Sequence, residues 1–233
     1  AHAAYYTQAV AGRELQINGI APYDVFTQTF DKLATEELGN YGAVIVLDPP
    51  TLADAAWQQL EAYARAGGGV ALFLGPAAQP SAMNAALPQS VLAGKLGIQA
   101  RYPQGDLCLW PDADQHPLLI DFKPVKNTTP WEDFPVYRYW QLTPDEGTVL
   151  VAPFNNDAPA ILERPIGIGR ALTVATPISE LTGVRESDRW NLLPIGPQPW
   201  PFVVLANGIT TYLIGRETPL NYLAEETAVV SLG

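Results

Sequence analysis

The sequence predicts a single three-layer α/β domain with a mainly parallel sheet, and two observations support this. First, the apolar runs AVIVLD and VALFLG, at residues 43–48 and 70–75, enclose an amphipathic helical pattern and the turn Gly67-Gly68-Gly69. Parallel strands need such a helical crossover, so this segment is a βαβ unit. Second, helical and strand patterns alternate along 233 residues, of which 48% are hydrophobic, enough for one large core.

The helix of this unit is predicted at residues 51–65, TLADAAWQQLEAYAR. Thr51 can cap its amino end, with Asp54 three residues later as a weak capping box. Its apolar residues recur at spacings of four, four and three, which places one buried stripe at Leu52, Ala56, Leu60 and Tyr63. Leu60 should be fully buried against the two flanking strands.

The remaining elements follow from periodicity and turn signals. Residues 103–131 are rich in Pro, Asp and aromatic residues, which predicts a loop-rich insertion with a helical turn near residues 116–122. Asn155-Asn156-Asp157 predicts a hairpin turn among added β-hairpins. Further helices are predicted at residues 3–10, 30–38 and 200–213, and a helix followed by a turn at residues 80–96. Further strands are predicted at residues 23–28, 98–102, 136–142, 148–154, 158–164 and 170–176. This organisation predicts one domain at residues 1–218, and residues 219–233 as a tail or the start of a following module.

Composition excludes some partners. The formal net charge of -11 disfavours nucleic acids and anionic membrane surfaces, because both are bound by clustered Lys and Arg. The single cysteine, Cys108, excludes an internal disulfide. The sequence has neither a membrane-length apolar run nor a signal peptide. It opens without Met and leads directly into a helical pattern, so we expect a fragment of a longer protein.

The run YGAVIVLDPPTLADAAWQQLEAYARAGGGVALFLGP resembles the core of class I glutamine amidotransferase-like domains, which have a flavodoxin-like fold. Later segments resemble the extracytoplasmic domain of bacterial membrane proteins related to Bat-type aerotolerance proteins, which often also carry a von Willebrand A module. These segments are HPLLIDF, VYRYWQL, PAILERPIGIGRALTVATP, the pair Trp190-Asn191 and the apolar helix before NYLAEETAVVSL. The resemblance implies a flavodoxin-like fold and an extracytoplasmic, periplasmic location in a membrane-anchored protein.

The resemblance also implies where a nucleophile would lie. A catalytic amidotransferase domain has Gly-x-Cys-x-Gly at the sharp turn after a central strand, whereas this chain has Phe73-Leu74-Gly75-Pro76-Ala77. No side chain there can attack an amide, so we predict a pseudoenzyme with no catalytic residues. Cys108 lies between apolar neighbours, without an adjacent cation or histidine to lower its pKa, and is predicted to be a buried structural thiol.

Metal and cofactor sites are not predicted. Asp112, Asp114 and His116 alternate and could present ligands from a loop, but a solvated polar loop is the favoured interpretation. The turn at residues 67–69 precedes a strand, whereas a nucleotide-binding glycine loop follows a strand and opens a helix.

One edge of the sheet is the predicted ligand crevice. Open α/β sheets bind ligands outside the carboxyl ends of their strands, and Asp48 ends a buried strand at that edge. For Asp48 the favoured interpretation is structural, as a cap of the following turn or helix. For Trp190 the alternative to a place on the rim is that it anchors a loop to the core. The candidate rim residues are Asp48, Gly75, Pro76, Thr176, Asp188, Trp190 and Asn191.

These observations predict a non-catalytic interaction or ligand-sensing domain of a larger bacterial envelope protein. The alternatives are a hydrolase or amidotransferase relative with an unrecognised nucleophile, for which Cys108 and Ser187 are the candidates, and a structural spacer. Protein partners or flanking modules are expected, with no nucleic acid, and with membrane contact only through other parts of the parent. The sequence leaves open whether the chain forms a homodimer.

The chain opens at a helix, whereas flavodoxin-like domains begin with a strand inside the sheet. An unfilled slot would expose two rows of backbone donors and acceptors. We therefore expect one of three outcomes: residues 227–232 fill the slot, a strand from a neighbouring copy fills it, or the sheet closes without it.

Overall fold

The computed structural model describes residues 2–12, 20–178 and 188–215. The helices in these ranges are α1 His2–Ala11, α2 Asp54–Arg65, α3 Pro80–Met83, α4 Ala86–Gln89 and α5 Trp200–Ile214. The strands are β1 Ala43–Leu47, β2 Gly69–Phe73, β3 Gly94–Arg101, β4 Arg138–Pro144, β5 Val149–Pro153, β6 Pro159–Ile166 and β7 Gly169–Val174. Short 3₁₀ helices lie at Phe30–Lys32, Leu38–Asn40, Pro117–Val125 and Trp131–Asp133.

The main sheet has five strands in the order β1-β2-β7-β6-β5. β1, β2 and β7 are parallel, whereas β6 and β5 are antiparallel to their neighbours. β3 and β4 form a separate antiparallel ladder. The prediction of a mainly parallel, flavodoxin-like sheet is therefore wrong. The physical reason is local: short turns join β5 to β6 and β6 to β7, and such turns permit only antiparallel pairing.

Helices pack on both faces of the sheet. An ideal Cβ at Gly69 in β2 would lie 2.3 Å from the Leu213 carbonyl oxygen of α5. An ideal Cβ at Gly169 in β7 would lie 2.2 Å from the Ala64 carbonyl oxygen of α2. Gly69 pairs with Arg170, the residue after Gly169, and Arg170 lies over the Tyr212 ring of α5. Because neighbouring residues of a strand point to opposite faces, α2 and α5 lie on opposite faces.

The predicted core of the βαβ unit is confirmed. Leu60 is fully buried, and every residue of β2 is buried. The start of α2 differs from the prediction, since Ala53 rather than Thr51 is the N-cap and makes no side-chain capping bond. On the other face, α1 docks on α5: the Tyr6 hydroxyl donates to the Ala206 carbonyl at 3.2 Å.

Several weaker element predictions are wrong in detail. Residues 23–28 form no strand, and residues 30–38 contain 3₁₀ turns instead of one α-helix. Residues 80–96 contain the two short helices α3 and α4, and β3 already begins at Gly94. Residues 219–233, including the predicted tail strand, lie outside the described residues, so the tail prediction stays a prediction.

Candidate functional site

The carboxyl edge of the parallel strands is the first candidate, as the sequence predicted. Asp48 follows β1, Gly75 follows β2 and Thr176 follows β7, so the three lie around one edge. An ideal Cβ at Gly75 would lie 2.6 Å from Asp48 Oδ1 and 2.9 Å from Pro177 Cβ. The edge is therefore packed too closely at Gly75 for any side chain.

Asp48 has a structural role at this edge. Its backbone has a φ of 51°, in the left-handed region that Asp tolerates better than most residues. Its Oδ1 accepts a hydrogen bond from the Ala77 backbone N–H at 2.9 Å, which fixes the turn containing the exposed Pro76. This is the turn-capping role that the sequence analysis favoured for Asp48.

Asn191 lies at the same edge and is fully buried. Its Nδ2 donates to Thr176 Oγ1 at 2.9 Å and to the Pro177 carbonyl at 2.6 Å. Its Oδ1 accepts from the Leu193 backbone N–H at 3.1 Å. The amide thus ties the loop after residue 187 to the end of β7, and its hydrogen bonds stay inside the protein.

Two indole rings fill the space beside this edge. The Trp190 ring is buried, and its centroid lies 6.2 Å from that of Trp140 in β4. Trp140 Nε1 donates to the Gly75 carbonyl at 2.9 Å. Asp188 is exposed and pairs with Arg138 at 3.2 Å. The predicted rim residues do lie together, and side chains pack the space between them.

The sequence did not reveal a buried polar cluster on the α5 face of the sheet. His116 Nδ1 accepts from the Leu118 N–H at 3.2 Å, so its Nε2 carries the proton and donates to Glu163 Oε2 at 2.7 Å. The Tyr212 hydroxyl of α5 donates to the same carboxylate at 2.9 Å. The cluster joins β6, α5 and the 3₁₀ helix Pro117–Val125, segments far apart in sequence.

The charges of this cluster follow from its contacts. Burial raises the pKa of Glu163, but hydrogen bonds from His116 and Tyr212, together with the positive charge of Arg170, outweigh it and lower the pKa overall. Burial and the neighbouring carboxylate raise the pKa of Tyr212 to about 12. Glu163 is thus held as a carboxylate with its partners inside the protein.

Cys108 lacks the features of an activated nucleophile. The residue is buried, and burial, with a smaller effect of Glu132, raises the pKa of its thiol to about 11. Both ring nitrogens of His116 are engaged by Leu118 and Glu163. Ser187 lies outside the described residues. Within the described ranges, no group of three or more His, Cys, Asp or Glu side chains is placed to hold a metal ion.

The second candidate is a groove along the outer edge of β1, which the sequence did not predict. A cavity of about 570 Å³ lies between β1, α1, the carboxyl end of α5 and residues 22–30. A smaller cavity of about 140 Å³ is lined by β1, residues 26–30 and the 3₁₀ region near Leu38. The side chains that line the larger cavity include Tyr6, Val10, Phe26, Tyr41, Ile45 and Leu47. We call the two cavities together the β1 groove.

The backbone of β1 is open toward this groove. The Asp48 N–H donates to the Phe73 carbonyl of β2 at 2.8 Å. Because backbone groups alternate in direction along a strand, the N–H groups of Ala43, Ile45 and Leu47 point away from β2. No strand in the described part of the chain pairs with that side of β1. β1 is mostly half-buried, although its sequence, AVIVL, is entirely apolar.

Apolar side chains are also exposed beside the groove. Phe26 is 71% exposed, and Phe30 and Val25 are partly exposed. Large exposed apolar side chains that cluster mark interaction surfaces more often than single ones do. The sequence signal was the apolar content of residues 23–30, which we interpreted as a strand and a helix.

Comparison with known proteins identifies the fold but no family. No protein-family profile matches this chain, and no curated protein matches it. Among solved structures it is similar to the cytoplasmic protein STM3548 from Salmonella typhimurium, with 16% identity, a TM-score of 0.64, and 91% of this chain and 87% of that chain covered. The cytoplasmic protein STM1381 from Salmonella typhimurium LT2 aligns over the same shares, with 17% identity and a TM-score of 0.57. A β-galactosidase from Rahnella sp. R3 matches with 13% identity and a TM-score of 0.51, over 77% of this chain and 24% of that enzyme.

These neighbours correct two predictions. None of them is described as a glutamine amidotransferase or as a Bat-type or von Willebrand A protein, so the family resemblance drawn from the sequence is wrong. The two Salmonella proteins are described as cytoplasmic, which contradicts the expected extracytoplasmic location. No helix in the described ranges is both long and apolar enough to span a bilayer.

Proposed function

We propose that this chain is a non-catalytic interaction domain that binds an extended polypeptide strand along the outer edge of β1. One observation carries the proposal: within the described ranges no strand pairs with the outer edge of the apolar strand β1, and this edge opens into the β1 groove. Such an edge presents a row of free backbone donors and acceptors, which is a ready template for another strand. Recognition by strand addition combines these main-chain hydrogen bonds with pockets for alternate side chains.

The shape of the groove supports a strand as the ligand. The larger cavity is lined by α1 and α5 and the smaller one by residues near Leu38, and Phe26, Tyr41 and Ile45 line both. A strand directs successive side chains to opposite faces of its sheet. A strand laid beside β1 would therefore direct alternate side chains into the two cavities.

The chemistry of the described residues offers no support for catalysis. The carboxyl edge has its polar groups bonded internally, as at Asn191, and Cys108 has a raised thiol pKa. A nucleophile needs a lowered pKa or an adjacent base. A structural spacer is the second candidate, because the packed carboxyl edge suits it, but a spacer gives no reason for an open apolar groove.

Selection from a displayed library of random 12-residue peptides tests the proposal. We expect enriched peptides with alternating apolar residues that bind the wild-type chain and not the Ile45→Asp variant, which places a charge in the groove. The matched control is Ile168→Asp, at a residue 82% exposed on the β6–β7 turn, which should bind like wild type.

Two outcomes would contradict the proposal. One is that no peptide is enriched above a library exposed to an unrelated protein. The other is that the enriched peptides bind Ile45→Asp and Ile168→Asp equally well, which would place their site away from β1. Circular dichroism of both variants must match wild type, so that a lost fold is not mistaken for a lost site.

A further inference from the structure

We infer that the partner strand of the β1 groove is basic: an apolar segment flanked by Arg side chains, with at least one of them directed to each face of the sheet. This inference deepens the proposed function and rests on it, because it names the chemistry of the strand that the same groove takes. Three observations of the described residues support it: the charges that line the groove, the faces on which they lie, and the aromatic rings beside them.

The charged residues of the groove are the first observation. Among the described residues that line the two cavities, two are charged, Asp24 in the larger cavity and Glu36 in the smaller one, and both are acidic. The whole chain also has a formal net charge of -11. Complementary charges speed the encounter of two partners and exclude like-charged ones. The groove therefore favours a cationic strand and disfavours an anionic one.

The faces on which the two acidic residues lie are the second observation. Val44 of β1 lines the smaller cavity only, whereas Leu47 lines the larger cavity only, so the two cavities lie on opposite faces of the sheet. Glu36 lies on the α2 face, since Gln59 Nε2 of α2 donates to its backbone carbonyl at 2.7 Å. A bound strand directs successive side chains to opposite faces. Basic residues at odd and at even positions of the strand are therefore needed to meet both Asp24 and Glu36.

Aromatic rings beside the Glu36 carboxylate are the third observation. The Tyr41 hydroxyl donates to Glu36 Oε1 at 2.7 Å, and the ring centroids of Tyr41 and Phe26 are 6.0 Å apart. Both aromatic residues line both cavities. A guanidinium pairs with a carboxylate through parallel hydrogen bonds and stacks on aromatic faces, whereas an ammonium is a compact, strongly hydrated charge. Arg therefore suits this part of the groove better than Lys does.

A second copy of the chain is a poor fit to the same edge. Pairing of two β1 strands would place Asp24 and Glu36 of both copies at one interface. Like charges that face each other across an interface destabilise it. Sedimentation of the free chain tests this alternative: a dimer that Ile45→Asp dissociates would make a second copy the occupant and overturn the inference.

Four synthetic peptides test the inference on the full chain by isothermal titration calorimetry. Each has a core of alternating Val and Thr residues, flanked at both ends by a pair of Arg, Lys, Gln or Glu residues. We expect the Arg peptide to bind about 10-fold tighter than the Gln peptide and about 3-fold tighter than the Lys peptide, and the Glu peptide to bind weakest. Binding by none of the four would overturn the inference, and the library selection would then decide the proposed function alone.

Charge reversal in the groove is the decisive variant. The chain with Asp24→Lys and Glu36→Lys should bind the Glu peptide about 10-fold tighter than the Arg peptide, an inversion that loss of the fold cannot produce. The matched control carries Asp121→Lys and Glu146→Lys, at two exposed positions that line neither cavity, and should keep the preference for Arg. An unchanged order in the reversed chain, or the same inversion in the control, would overturn the inference.

N-methylated versions of the Arg peptide separate this inference from the proposed function. Methylation of alternate amides removes the donors that face β1 in one version and those that face away in the other. If both versions bind like the parent peptide and charge reversal still inverts the order, strand addition fails and the preference for basic partners stands. If only one version binds and the four flanking pairs bind equally, the preference fails and strand addition stands.

Discussion

Two edges of the same sheet differ in how completely their hydrogen-bonding groups are paired. At the carboxyl edge, the side chains of Asn191 and Trp140 bond to neighbouring groups inside the protein. At the outer edge of β1, the N–H groups of Ile45 and Leu47 face a groove with no strand beside them in the described ranges. The polar groups at the first edge are therefore paired inside the protein, as buried polar groups normally are, whereas those at the second edge face the groove.

The same contrast separates β1 from β2. Both strands are short and apolar, AVIVL and GVALF, and they pair in register from Ala43 and Gly69 onward. β2 is buried along its whole length between β1 and β7, whereas β1 is mostly half-buried. Composition therefore does not distinguish an interior strand from one with an open edge, and only position in the sheet does.

The largest expected effect lies in the interior strand. Leu72 in β2 is fully buried, so Leu72→Ala removes packed atoms and leaves a cavity that its neighbours cannot fill completely. We expect a loss of about 2–5 kcal/mol in the free energy of unfolding, measured by urea denaturation. A loss as small as that of a surface substitution would mean that β2 is not an interior strand.

The second-largest expected loss of stability is at the carboxyl edge of the sheet, where polar side chains are hydrogen-bonded inside the protein. Asn191→Leu keeps most of the side-chain volume but leaves the Pro177 carbonyl and the Leu193 N–H without their partner. We expect a loss of about 2–3 kcal/mol, because unsatisfied buried polar groups keep their desolvation cost. Thermal and urea unfolding of this variant measure it. Unchanged stability would show that water reaches this edge and that it is as open as the β1 groove.

A pH-dependent effect is expected from the buried cluster on the α5 face. Burial raises the pKa of Glu163, but its hydrogen bonds outweigh this and lower it below the ordinary value of 4.5. The carboxylate therefore stabilises the fold above about pH 4.5, and this contribution is lost as the pH falls through the lower folded-state pKa. We expect Glu163→Gln to cost about 1–2 kcal/mol at neutral pH.

Thermal melts of wild type and Glu163→Gln across acidic and neutral pH measure this effect. The difference in stability between the two chains should shrink as the pH falls. A difference that stays constant with pH would mean that the charge of Glu163 contributes nothing, and that the substitution acts only through packing.

The sequence by itself determined the elements whose signals are local. The stripe that contains Leu60 predicted the buried face of α2, and the apolar run at residues 200–213 predicted α5. The turn Asn155-Asn156-Asp157 predicted the β5–β6 hairpin. Each of these signals lies within one element or one turn, so the order of strands in the sheet does not affect it.

Tertiary structure decided which strands are parallel, which edge is open and which side chains meet. Glu163 lies 47 residues from His116 and 49 from Tyr212, and Asn191 lies 15 from Thr176. No periodicity reports such contacts, because they depend on how strands and crossovers are arranged. The run AVIVL would have the same pattern at the centre of a sheet as at its edge. The β1 groove lies where no strand of the described residues pairs with β1, and only the tertiary structure reveals this arrangement.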